Sequence, residues 1–144
     1  LEHLVDGTYN TCQFSPLCDQ YFVVEFDGSV YPCDFFVDEN HYLGNIKNTS
    51  WHDLFHHPRY QNFVTNKEIG MQMSSCAKCQ FKSFCWSGCL KHHQKHQKSQ
   101  PNLLCEGYYH FWKHTLPYFQ KIAKKIRKDR NITQPVKLLD ENLA

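Results

Sequence analysis

The sequence predicts an α+β domain: a small β-hairpin, irregular cysteine-rich loops with short helices, and a C-terminal amphipathic helix. Three observations predict it. The run Tyr21-Phe22-Val23-Val24-Glu25-Phe26 is rich in β-formers and is followed by Asp27-Gly28 and a second such run. Four of the eight Cys fall between Cys76 and Cys89. After Cys105, apolar residues recur at three- and four-residue steps.

An Asp-Gly pair between two β-forming runs reads as a tight hairpin turn, because Gly adopts φ > 0 at little cost. The second run, Ser29-Val30-Tyr31-Pro32-Cys33, contains a proline that cannot donate to a ladder. That strand is expected to lie at a sheet edge or to end there. Leu43-Gly44-Asn45-Ile46 reads as a short extended piece. Ser50 is a candidate N-cap, with Asp53 three residues on to complement the helix start. A helix from about Trp51 is expected to bury Trp51, Leu54 and Phe55. Pro58 interrupts or restarts it, and Tyr60, Phe63 and Val64 continue its apolar face. Residues 74–90 offer little to build a core and read as irregular loops wrapped around metal. Trp112, Leu116, Phe119, Ala123 and their neighbours then mark one face of a helix with Lys and Arg on the far side. Pro117 is expected to break or kink it. Residues 1–130 are read as one domain and residues 131–144 as a flexible C-terminal tail.

A length of 144 residues fits one domain. Leu, Ile, Val and Phe make up about a quarter of the chain, above the level that signals disorder. No run of about 18 apolar residues exists, so no membrane span is expected. No signal peptide is visible, and a cytoplasmic location is expected. The chain begins with Leu, which reads as a piece of a longer protein. Residues 1–90 carry five Lys/Arg against ten Asp/Glu, whereas residues 91–130 carry ten against two. The basic segment is read as the solvated face of the last helix.

The Cys spacing is C-x5-C-x14-C, a gap of 42, C-x2-C-x5-C-x3-C, a gap of 15, and C. Three chemistries compete for these eight thiols. A disulfide scaffold is one, although hairpin, helices and aromatics promise a larger core than a stapled mini-protein needs. Zinc is another, in all-Cys sites. Cys76, Cys79, His92 and His96 also match the spacing of a two-Cys, two-His finger. The apolar slots of such a finger hold Ser83 and Cys89, so it would have no core. The third is iron–sulfur: eight Cys make two sets of four thiolates, the ligand count for two [4Fe–4S] clusters.

Counted from Cys18, the pattern is Cys18-x9-Gly28-x4-Cys33, then Cys76-x2-Cys79-x5-Cys85-x3-Cys89, then Cys105. This resembles the seven-cysteine signature of the SPASM domain, the auxiliary-cluster domain of radical S-adenosylmethionine enzymes. Cys12, the stretch Tyr31-Pro32-Cys33-Asp34-Phe35-Phe36 and Leu43-Gly44-Asn45-Ile46 resemble the anaerobic sulfatase-maturating enzymes in particular. The resemblance runs from residue 12 to 105, and more loosely to about Arg130.

The resemblance implies a ligand assignment. Cys12, Cys18, Cys33 and Cys89 would hold one [4Fe–4S] cluster, and Cys76, Cys79, Cys85 and Cys105 a second. It implies that Asp34 is the base that deprotonates a substrate Cys or Ser. It further implies that the product is formylglycine in a sulfatase peptide, with the clusters accepting an electron. S-adenosylmethionine would enter only through an N-terminal radical domain of the same parent chain, because C-x3-C-x2-C is absent here. Cys85-x3-Cys89-x2-His92 has His in the third place. The chain alone is therefore not expected to act as an enzyme, and zinc is expected only as a substitute in aerobically prepared protein. Phe35, Phe81, Phe84 and Trp86 would exclude water from the clusters. Two alternatives fit the same residues: the same domain in another peptide-modifying radical enzyme, or a zinc-binding interaction module. The latter would contact nucleic acid through Lys121, Lys124, Lys125, Arg127, Lys128 and Arg130, a partner not otherwise expected. His92, His93, His96, His110 and His114 are read as solvent-exposed.

Overall fold

The β-forming runs fold as a hairpin, but shorter than their composition implies. In the computed structural model, which describes residues 1–72, 75–93 and 102–134, β1 (Val23–Val24) pairs antiparallel with β2 (Ser29–Tyr31), Val24 facing Val30. β3 (Gly44–Asn45) pairs with the other side of β2, Gly44 facing Val30. β2 is thus the central strand, not an edge. It ends at Tyr31, one residue before Pro32, so the missing donor costs no ladder bond.

The turn is held by two bonds: Gly28 N–H donates to Glu25 O and Glu25 N–H to Ser29 O, both at 2.9 Å. Gly28, at φ +92°, is the one turn residue in the left-handed region. The loop is therefore three residues closed by a left-handed Gly, not a two-residue turn with both centres at positive φ. A Cβ at Gly28 would meet Asn45 Oδ1 at 2.7 Å. This strand crossing thus admits only glycine without rearrangement.

Ser50 caps α2 (Trp51–Phe55) as its sequence predicts. Asp53 N–H donates to Ser50 Oγ at 3.1 Å, and the Ser50 hydroxyl donates to Asp53 Oδ2 at 2.7 Å. Of the three residues expected inside, only Leu54 is buried. Trp51 is 55% and Phe55 47% exposed, because both sit at the rim of Phe22, at 6.0 and 4.9 Å between ring centroids. Pro58 starts α3 (Pro58–Gln72), where proline's fixed φ suits a first turn. Val30, Leu43, Leu54 and Tyr60 form the core beneath the sheet.

Residues 75–90 are less irregular than expected. They contain a 3-10 turn at Ser75–Lys78, the one-turn helix α4 (Lys82–Cys85), and the start of a second 3-10 turn at Leu90–His92. The last helix, α5 (Cys105–Asp129), runs through Pro117 without interruption. It packs Trp112 and Leu116 against Phe81 and Phe84. A short helix, Glu2–Asp6 (α1), which no periodicity in the sequence predicts, packs along α5. There the Arg127 guanidinium donates to Val5 O and Gln134 O, so this member of the basic face is tied to backbone. Lys121, Lys124, Lys125, Lys128 and Arg130 are exposed. Most of the expected tail, residues 135–144, and His96 lie outside the described residues.

Candidate metal centre

The eight Cys gather around two cavities. Cys12, Cys18, Cys33 and Cys89 line the first, a narrow space of about 40 Å³ with Tyr21, Phe36 and Phe63 in its wall. Cys76, Cys79, Cys85 and Cys105 line the second, of about 270 Å³, beside Tyr108 and Trp112. The second is many times the ~30 Å³ share of one water. All eight thiols are free. Different elements deliver them. Cys12 opens a 3-10 turn, Cys33 follows β2, Cys76 lies in a 3-10 turn, Cys85 ends α4 and Cys105 begins α5. Cys89 lies only four residues beyond Cys85 yet faces the other cavity. The chain reverses its course there through Trp86, Ser87 and Gly88, all at positive φ. Asn102 fastens this reversal by donating to Ser87 O at 2.9 Å and Cys89 O at 3.0 Å.

The surroundings suit anionic sulfur bound to a cationic partner. Burial pushes the Cys18 and Cys33 thiols up to about 11 and the Cys85 thiol up to about 12. Burial raises Cys105 as well. Uncompensated thiolates are therefore disfavoured here, and a metal that takes them as ligands displaces their protons. Lys67 of α3 lies among them. Its Nζ donates to Cys12 O at 3.1 Å, Gln13 O at 2.7 Å and Ser15 O at 2.6 Å. Burial lowers its pKa, and the neighbouring Cys18, Cys89, Cys12 and Cys85 oppose that. Cys76 Sγ donates to Ser87 Oγ at 3.7 Å. The Trp112 indole N–H is buried without a partner, on a side chain that lines the second cavity. Among the described residues, no three His, Cys, Asp or Glu side chains converge tightly enough for a single metal ion.

Asp34 lies exposed at the rim of the first cavity. Tyr21 O–H and Cys33 Sγ each donate to its Oδ1 at 3.3 Å. Of the four aromatics expected to shield the thiols, Phe81, Phe84 and Trp86 are buried, but Phe35 is 51% exposed. Phe35 forms part of the first cavity's wall and carries the Lys91 ammonium 3.6 Å from its ring centroid.

Residues 12–80 match the SPASM family, described as an iron–sulfur cluster-binding domain. The chain carries a SPASM domain. It is 32% identical over 129 residues to a cysteine-type anaerobic sulfatase-maturating enzyme of Clostridium perfringens strain 13, covering 88% of this chain and 34% of that one. It is 31% identical over 133 residues to a serine-type enzyme of Bacteroides thetaiotaomicron, covering 90% and 32%. Among solved structures it matches anSMEcpe with bound AdoMet and Cp18Cys peptide at a TM-score of 0.76. That match has 29% identity and covers 86% of this chain and 34% of the other. The chain thus spans about a third of the length of the relatives it matches.

Two features of this chain lie outside what its sequence predicts. Lys67 is buried, although its place on the apolar stripe of α3, between Val64 and Met71, was a readable signal. His92 and His93 are half-buried rather than exposed. His93 Nε2 lies 3.1 Å from Ser87 Oγ, while His110 and His114 are exposed as expected. Among the described residues the chain contains no helix long and apolar enough to cross a membrane.

Proposed function

We propose that this chain holds two [4Fe–4S] clusters, one on Cys12, Cys18, Cys33 and Cys89 and one on Cys76, Cys79, Cys85 and Cys105. In this reading, residues 1–130 are the auxiliary domain of a cytoplasmic radical S-adenosylmethionine enzyme whose N-terminal radical domain belongs to the same parent chain. That enzyme oxidises a Cys or Ser of a sulfatase peptide to formylglycine. Bound clusters supply a one-electron acceptor. The chain's own residues hold the thiolates apart, exclude water and present the peptide's proton acceptor.

The observation that carries the reading is the division of eight thiols into two cavities of four. Four thiols spread around a cavity fit a polynuclear core. A tetrahedral zinc site needs four sulfurs converging at about 2.3 Å from one point, and no such convergence occurs among the described residues. The buried, unpartnered Trp112 N–H beside the second set is a donor suited to an anionic sulfur. Asp34, at the rim of the first cavity, is assigned as the base that takes the substrate proton. The test is anaerobic reconstitution of the chain. About eight irons and eight acid-labile sulfides per chain are expected. Stoichiometric zinc without labile sulfide in anaerobically prepared protein would overturn the reading.

A further inference from the structure

Among the described residues Lys67 is the most deeply buried charged side chain, with 1% of its surface exposed. It stands on the α3 stripe formed by Tyr60, Phe63, Val64 and Met71, where the period calls for an apolar residue. Its Nζ reaches three acceptors and no donor: the carbonyls of Cys12, Gln13 and Ser15. Three carbonyls match the three N–H bonds of an ammonium, whereas a neutral amine has only two to give. No carboxylate pairs with it among the described residues. A buried cation with no acidic partner is costly unless an anion completes it.

The anions within its reach are sulfur. Lys67 Nζ is bonded to the carbonyl of Cys12 at 3.1 Å, and Cys18 N–H donates to Val64 O, three residues before Lys67 on α3, at 3.3 Å, so the ammonium lies against the first set of thiols. Its leading electrostatic neighbours are Cys18, Cys89 and Cys12, followed by Cys85 of the second set. A cluster on four thiolates is anionic, and one-electron reduction adds a further negative charge. A fixed cation in a poorly solvated site stabilises the reduced form more than the oxidised form.

We propose that Lys67 is a positioning residue that fastens the Cys12 turn to α3 and raises the reduction potential of the cluster on Cys12, Cys18, Cys33 and Cys89. This rests on the reading that those four thiols hold a cluster. The position is unequal between the cavities, so the charge acts more on the potential of the first cluster than on that of the second. In the assay an external low-potential reductant supplies the electron: reductant is oxidised and cluster reduced, one electron for one.

The test is a potentiometric titration of the anaerobically reconstituted full chain, followed by electron paramagnetic resonance. The first cluster's signal is the one lost in Cys18→Ala. In Lys67→Met the reduction equilibrium constant of that cluster is expected to fall at least tenfold, about 59 mV for one electron, with a smaller fall at the second. In Lys67→Arg it is expected to stay near the parent value. An unchanged first potential in Lys67→Met, or a larger change at the second cluster, overturns the proposal. If Lys67→Met does not load clusters, Lys67→Arg decides. Loading at the parent potential supports a requirement for charge, and failure to load overturns it. Absence of labile sulfide in the parent protein would instead sink the cluster reading itself.

Discussion

The Tyr21 hydroxyl donates to Asp34 Oδ1 across 3.3 Å, joining the segment before β1 to the one after β2 at the mouth of the first cavity. The same hydroxyl lies 3.9 Å from Cys12 Sγ. Tyr21 therefore fixes the direction in which Asp34 presents its second oxygen.

This pairing yields the first prediction. Asn at position 34 keeps the shape and loses the proton acceptor. In the full protein, with clusters loaded, Asp34→Asn is expected to lower formylglycine formation by on the order of 10²-fold or more. Tyr21→Phe only frees the carboxylate and is expected to cost less than about tenfold. Mass spectrometry of the peptide after anaerobic turnover measures both. Equal losses in the two variants, or full activity in Asp34→Asn, would remove Asp34 from the role of base.

Removal of ligands tests the grouping of the thiols. Cys18→Ala is expected to lower bound iron by about half, and so is Cys105→Ala, since in the proposed function each set of four thiolates holds one cluster. Cys18→Ala with Cys33→Ala is expected to lose no more than the single change, because both serve one site. Cys18→Ala with Cys105→Ala is expected to lose nearly all iron. A uniform loss in every pair would contradict two separate sets.

Gly28 is the turn position where the backbone leaves no choice. Gly28→Ala places a methyl group against Asn45 Oδ1 at φ +92°. A cost of about 1–3 kcal/mol is expected for the strained backbone alone, read as a lower denaturant midpoint. Adding Asn45→Ala removes the clash but also the bond from Asn45 Nδ2 to Asp27 O. The two changes are therefore expected to combine non-additively.

Acid should loosen the N-terminal helix. His3 stacks on Tyr9 at 4.3 Å between ring centroids, and burial holds its pKa below 6.5, a bond to Gly7 O partly opposing. In the unfolded chain it titrates near the ordinary value. Between the two values the unfolded chain binds more protons, so stability rises with pH there. Stability is expected to fall as pH drops through about 6.5 toward the lower folded value, and then to level. His3→Phe keeps a ring on Tyr9 and is expected to flatten that slope in denaturant titrations across the window. An unchanged slope would assign the acid sensitivity to other groups.

What could be read in advance was what covalent spacing or a single local bond determines. Gly28 followed from turn stereochemistry, Ser50 from capping, and α5 from a period sustained over many residues. The grouping of the thiols came only with the family resemblance, while the structure shows four Cys lining each of two cavities. What could not be read depended on contacts between distant segments. Trp51 and Phe55 carry apolar side chains that look internal, yet they flank Phe22 at a surface rim. Pro32 marked where the second strand ends, one of the two readings it offered, but that the strand pairs on both sides was not legible from it. The helix at Glu2–Asp6 has too few residues for a period and exists through its packing on α5. Lys67 broke a pattern in plain view, and only the carbonyls of a turn far away in the chain account for it.

Cys89 faces the first cavity although it follows Cys85 of the second. No single cut of the chain therefore separates one complete set from the other. As the polypeptide leaves the ribosome, the first four thiols are all present once Cys89 has emerged. The second set stays one short until Cys105 and the start of α5 appear. Synthesis itself thus imposes a sequence on assembly: a shortened product ending between these two residues would carry one full complement and one defective one.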